Sequence, residues 1–305
     1  MGKKYIKVKS HLQPSKLKLF LFCVPAIVLY LLFWIVPSMS NIFLSLTEWR
    51  GTTSILDAEF IGLKNYAQLG KDPLFWNALG NNFTYAAITV VFTVIIALFL
   101  AVVIERVIKR GKPVFRAVLF MPMIMPWVVV SMLWTWLYDP SIGLLNVALE
   151  SIGLGSYTQL WLGNPNIALY SVSAVGIWKS FGFHMIIIIA GLQGIPKSLE
   201  EQSYIDGATP FQSFIHITLP LLRPILGIVI TLTLIDAFRA FDAVFIMTQG
   251  GPGHYSTDIL STYIYRLGFS YLEHGYGAAI SITLFILIAS LSLISFRISS
   301  REAYE

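Results

Sequence analysis

The sequence is poor in charge and almost without cysteine. Only 12% of its 305 residues are Asp, Glu, Lys or Arg, about half the share that keeps a soluble domain wet, so a soluble enzyme of this length is excluded. The single cysteine, Cys23, excludes a disulfide framework and a multi-cysteine metal site. Glycine (22) and proline (14) follow no period, which excludes a collagen-like sequence. No Gly-x4-Gly-Lys-Ser/Thr loop is present, since Gly111-Lys112 lacks a glycine five residues earlier. A His-Glu-x-x-His motif is missing too, and His11, His184, His216, His254 and His274 are scattered. His184 and His216 read as packing or interface residues, and no metal or catalytic site is expected.

What is abundant is hydrophobicity, at 56% of residues. Six runs approach the roughly 20 apolar residues that cross a bilayer as a helix: Leu17–Pro37, Phe83–Ile104, Ala117–Tyr138, Ile167–Leu192, Pro224–Met247 and Gly277–Phe296. They are continuous rather than alternating, which favours helices over barrel strands. The expected fold is an all-α integral membrane protein of six transmembrane helices. A tail over 1–16 precedes a transmembrane domain over 17–297, and a tail over 298–305 follows. The first run is longer than a signal-peptide core, and Phe22 before Cys23 is too large for a lipoprotein processing site. It therefore reads as a span, with Cys23 an apolar, lipid- or helix-facing residue.

Basic residues set the orientation. With the N-terminus inside, inner segments carry 15 Lys and Arg and outer segments 4, so both termini are expected to be cytoplasmic. The net charge of +5 is then an orientation signal and not a nucleic-acid footprint. Outer loops fall at about 46–76, 139–166 and 248–276. Their aromatics, Trp49, Trp76, Trp161 and Tyr265 among them, suit an interfacial belt, and the loops are long enough to dock an external partner.

The inner segment over 193–223 breaks the basic bias, with Glu200, Glu201 and Asp206 against Lys197 and Arg223. Ser198 with Glu201 reads as a capping box, and Thr209-Pro210-Phe211-Gln212 as another. Gly207 between them supplies a turn at positive φ, and Leu219-Pro220 is expected to stop the second helix. Leu199, Tyr204, Ile205, Phe211, Phe214 and Ile215 have no span to occupy. Two short helices with an apolar, acidic surface suit a protein partner on the inner face.

Glu201-Gln202-Ser203, three residues, Gly207, nine residues, Ile217, one residue and Leu219-Pro220 resemble the EAA-x3-G-x9-I-x-LP signature of permease subunits of binding-protein-dependent ABC importers. Gln202 and Ser203 stand where that signature has alanines. Phe60-Ile61-Gly62-Leu63-Lys64-Asn65-Tyr66, the stretch from Tyr138 to Asn146 and Gly250-Gly251-Pro252-Gly253 resemble the outer loops of the maltose and glycerol-phosphate type, in its short six-span form.

The resemblance implies a type I importer permease fold, a carbohydrate cargo, and a paired coupling helix docking on a cytoplasmic ATPase through Glu201, Gln202, Ser203, Asp206, Gly207, Ile217, Leu219 and Pro220. It implies a second, different permease, two copies of the ATPase holding ATP and Mg, an extracytoplasmic sugar-binding protein, and a prokaryotic cell membrane as the setting. The subunit itself would carry no cofactor and perform no catalysis. Glu201 could instead cap Ser198. Charge inside a bilayer is expensive and marks a pathway or a partner. Lys179, Ser180, Thr233, Asp236 and Arg239 are therefore candidates to border a solute path, with Phe183 or Trp178 against a sugar ring. A structural Lys179–Asp236 pair is the alternative. A permease for phosphate, polyamines or peptides shares the elbow signature. A secondary transporter would lack a purpose for the elbow.

Overall fold

The computed structural model describes residues 16–52 and 54–301; the expected tail before Lys16 and residues 302–305 lie outside the described residues. Among the described residues the only strands are Thr47–Glu48 and Glu59–Phe60, paired antiparallel with Thr47 opposite Phe60. Among these residues five helices are long and apolar enough to cross a membrane, or six when one bent helix pair is counted as a single broken span.

Span two, Pro73–Val107, is longer than the apolar run that announced it. Its 35 residues at 1.5 Å per residue reach about 52 Å, well beyond a hydrocarbon core of about 30 Å. Hydropathy detects only the lipid-facing middle. Asp72 starts the helix by accepting a hydrogen bond from Leu74 N at 2.8 Å, with Pro73 in the first turn. The last turn, Val103–Val107, is a wide π turn. Span four, Ala168–Gln193, is the most buried crossing and packs along span two.

Two expected spans are broken. The run Ala117–Tyr138 forms helices Lys112–Ile124 and Trp127–Leu137 that meet at 95°. Met125 lies before Pro126 and is extended, at φ −69° and ψ 138°, because the proline ring disfavours the helical conformation there. The run Pro224–Met247 also divides, into Leu219–Phe238 and Asp242–Thr248, with the break at Arg239–Phe241.

The expected stop at Leu219-Pro220 does not occur. A π turn over Phe214–Thr218, in which Leu219 N–H reaches back to Phe214 O, carries the helix from Pro210 through to Phe238. Pro220 then sits in the first turn of the next segment, where a missing N–H is tolerated.

Two apolar clusters form the interior. One holds Ala97, Ala101, Ile104, Met185, Ile188, Leu222 and Val229, near the elbow. The other holds Tyr85, Val172, Val175, Ala237, Phe238 and Tyr276, toward the far end. In spans two, four and five the buried residues between the clusters include the polar Thr89, Thr93, Lys179, His184 and Thr233, and the cavity described below lies at that level. Close backbone contact supports this arrangement: a Cβ at Gly182 would overlap the Leu119 carbonyl, so span four lies directly on the first half of span three. At the far end, the Asp72 carboxylate accepts from Tyr263 Oη at 2.7 Å and Tyr276 Oη at 2.6 Å, tying span two to the helix Leu260–Phe269 and to span six.

Candidate functional site

A cavity of about 320 Å³ opens where the two breaks meet spans two and four. Span four contributes Lys179, Ser180 and His184, and span five contributes Thr233, Asp236 and the broken segment from Arg239 to Ala243. Met123 and Trp127 flank the break in span three, and Tyr85 and Thr89 come from span two.

Lys179 is buried, and its ammonium donates to Met125 O at 2.7 Å, Met123 O at 3.0 Å and Pro122 O at 3.4 Å. The same nitrogen lies 5.1 Å from the Trp127 ring centroid. Those carbonyls lie at the end of the helix Lys112–Ile124; Pro122 O also accepts from Met125 N at 3.3 Å, and the Lys179 ammonium serves Met123 O and Met125 O, so it caps that helix end from another span. The alternative pairing with Asp236 is not among the ion pairs of the described residues. Asp236 is exposed to the cavity, with Arg239 and Asp242 each three residues further along. Ser180 Oγ donates to Gly176 O at 2.8 Å and Thr233 Oγ1 to Val229 O at 2.8 Å, which leaves their lone pairs for a ligand.

Phe183 does not line the cavity; its ring lies 5.3 Å from that of His184. Trp178 packs edge-on against Trp134 at 5.5 Å. His184, read from sequence as packing, does line the cavity. Its Nδ1 is 3.0 Å from Ser180 O, an acceptor, so Nδ1 carries a hydrogen and the other ring nitrogen is Nε2. That Nε2 is buried and has no protein partner. The contribution of span two was also missed from sequence. Tyr85, Thr89 and Thr93, spaced by four, form a buried polar stripe on one helix face, and that spacing was the available signal.

The second site is the elbow. Helix Lys197–Ile205 starts after Pro196 with no side-chain cap, so the expected Ser198–Glu201 capping box is absent: the proline sets the start, and Ser198 falls inside the helix. Gly207 is left-handed at φ 84°. The Thr209–Gln212 box forms as expected, with Gln212 N donating to Thr209 Oγ1 at 3.3 Å and Thr209 N to Gln212 Oε1 at 2.8 Å. Ser203 and Ser213 are buried and share a hydrogen bond of 2.9 Å, so the serine in the alanine position of the signature pins the two helices together.

The neighbouring carboxylates face opposite ways. Glu200 points inward to Arg106. Glu201 is exposed and makes no hydrogen bond or ion pair among the described residues, and the same holds for the outward Gln202 and Asp206 side chains. Ile205 at 83% and Phe211 at 73% exposure form an apolar patch beside them. Ile217, Leu219 and Pro220 lie in the helical stretch that leads from the elbow into span five.

A polar cavity inside the spans, joined by one continuous helix to an exposed elbow, defines a membrane transport subunit. The protein belongs to the family described as the binding-protein-dependent transport system inner membrane component, whose model matches residues 93–302. It is 39% identical to the probable ABC transporter permease protein YurN of Bacillus subtilis, covering 93% of this sequence and 96% of that one. It is 34% identical to the trehalose/maltose transport system permease protein MalF of Thermococcus litoralis, covering 92% of each. A crystal structure of a bacterial ABC transporter involved in import of the acidic polysaccharide alginate contains a subunit that matches with a TM-score of 0.82 and 25% identity, over 93% of this protein and 96% of that subunit.

Proposed function

We propose that this protein is a permease subunit of an ATP-driven, binding-protein-dependent importer of carbohydrate, an oligosaccharide by the names of its relatives. The observation that carries the reading is the single helix from Pro210 to Phe238, which runs from the elbow to the broken, cavity-lining segment at Arg239. In this reading the elbow lies on the cytoplasmic side with both termini, and Glu201, Ile205 and Phe211 meet a cytoplasmic ATPase. Two ATPase copies closing on ATP draw the elbow inward with that of a second, different permease. The helix carries the displacement to Arg239–Phe241 and turns the cavity from one face of the cell membrane to the other.

Lys179, Ser180, Thr233, Asp236 and Arg239 border the pathway, with His184 added and Phe183 behind it. Sugar hydroxyls would donate to Asp236 and accept from Arg239. ATP and Mg belong to the partner ATPase, and the permease itself performs no covalent step. An extracytoplasmic sugar-binding protein delivers the cargo to the far-end loops. The test is purification in mild detergent followed by uptake in proteoliposomes. An ATPase should co-purify, and uptake should require both ATP and the binding protein. Uptake independent of ATP would refute the reading.

A further inference from the structure

We infer that Arg106 is a positioning residue for transport: it locks the elbow to the end of span two, so that the elbow moves as part of the transmembrane body. The inference rests on the importer reading above. The π turn Val103–Val107 carries two adjacent charged residues whose side chains serve different sets of helices. Glu105 gathers the transmembrane ends. It takes an ion pair from Arg116, a hydrogen bond from Lys112 Nζ at 3.3 Å and one from Gln193 Nε2 at 3.2 Å. Spans two, three and four are thereby joined at one carboxylate.

Arg106 gathers the elbow. Its guanidinium makes an ion pair with Glu200 of the first elbow helix and donates to Thr218 Oγ1 at 2.5 Å in the π turn that follows the second. It also lies 5.8 Å from the Phe214 ring centroid, and Thr218 Oγ1 donates to Glu200 Oε1 at 3.4 Å. Both ends of the elbow therefore close on one guanidinium nitrogen, Nη2, and lysine would keep that charge while losing the planar group beside the Phe214 ring. The Arg106 and Glu200 side chains are only 22% and 25% exposed, so solvent screens the pair less than it would a surface bridge. A push on Glu201, Ile205 or Phe211 has little freedom to be absorbed by flexing at Gly207. It passes instead to spans two and five together.

The first measurement uses the full-length protein alone in lipid nanodiscs. Cys23 is replaced by Ser, and spin labels are placed at Ile205→Cys on the elbow and Phe99→Cys on span two. Arg106→Ala should at least double the width of the distance distribution. Arg106→Lys should fall between, and the swap Arg106→Glu with Glu200→Arg should narrow it again. An unchanged width in Arg106→Ala overturns the inference.

The second measurement uses the assembled importer. Arg106→Ala should cut sugar moved per ATP by about tenfold, the order expected for losing charge-assisted hydrogen bonds, while hydrolysis persists and the charge swap restores transport. Equal loss of hydrolysis and transport overturns it. If no ATPase is retained by the unaltered protein, the importer reading fails, and the distance measurement still decides the lock.

Discussion

Replacing Lys179 by Met removes a donor from three carbonyls at the break in span three, of which Pro122 O keeps Met125 N and two are left without a donor, while keeping most of the side-chain volume. Each buried carbonyl left without a donor costs about 1–3 kcal/mol, although single hydrogen bonds inside membrane proteins average nearer 0.6 kcal/mol. Two of the three bonds are well formed, at 2.7 and 3.0 Å, and the third is long at 3.4 Å. Removal of a buried ammonium also returns its desolvation cost. The net expectation is a loss of about 2–4 kcal/mol. It can be measured by titrating denaturing detergent into the purified protein in mixed micelles and following tryptophan emission, since Trp127 lies against the ammonium.

A double-mutant cycle with Asp236→Asn separates a cap from an ion pair. If Lys179 caps carbonyls, the two substitutions add to within about 0.5 kcal/mol. A coupling above about 1 kcal/mol would restore the ion pair and refute the cap, as would a Lys179→Met variant as stable as the parent.

Three further outcomes follow from the same geometry. Burial of Asp72 works against its ionisation, but hydrogen bonds from Tyr263, Tyr276 and the backbone of Leu74 and Phe75 outweigh it and hold the carboxyl below the usual value of 3.8. A depressed folded pKa gives stability that is present above 3.8 and is lost as pH falls through the folded value. Thermal scans in acid should show this loss, and Asp72→Asn should flatten it. Gly182→Ala drives a Cβ into the Leu119 backbone and should cost about 1–3 kcal/mol by overpacking, read by the same detergent titration. At Gly207 an added Cβ meets nothing within 4 Å, so Gly207→Ala should register only left-handed strain, about 1–2 kcal/mol. The expected sign is weaker retention of the ATPase on co-purification, with little change in the unfolding midpoint of the spans.

Much of this architecture was legible in the sequence because a bilayer imposes one dominant rule, about 20 apolar residues per crossing. The elbow was legible because its punctuation is local: Gly207 took the left-handed turn, and Thr209 with Gln212 formed the box. Ser198 and Glu201 had the same spacing and formed none, because Pro196 fixed the helix start two residues too early. Local rules thus compete, and the proline prevailed. Asp236, Lys179, Ser180, Thr233 and Arg239 could be picked from sequence as costly residues in apolar runs. His184 could not, since a lone histidine in a helix announces neither its Ser180 partner nor the cavity it lines. The signature's spacing singles out Glu201, but it does not say where the side chain of Glu200 or Glu201 points. Only the position of Arg106, 94 residues away, turns one inward and leaves the other free.

The two broken spans and the polar cavity are a single feature with one cause. Lipid cannot serve a backbone carbonyl, so a helix interrupted within the membrane must bury its loose ends in protein or open them onto water. At Met125–Pro126 the proline forces the interruption, and Lys179 meets the carbonyls it strands. At Arg239–Phe241 the interruption opens into the same space, beside Asp236 and Asp242. Straight helices there would fill the cavity with their own turns and leave Lys179 an unpaired charge in an apolar interior, which is costly. The presence of Lys179 in span four is therefore tied to Pro126 in span three, two residues 53 positions apart that share one backbone problem. The cavity needs both: the proline to open it and the ammonium to keep the opened end satisfied, while Asp236 and Arg239 remain free for whatever passes.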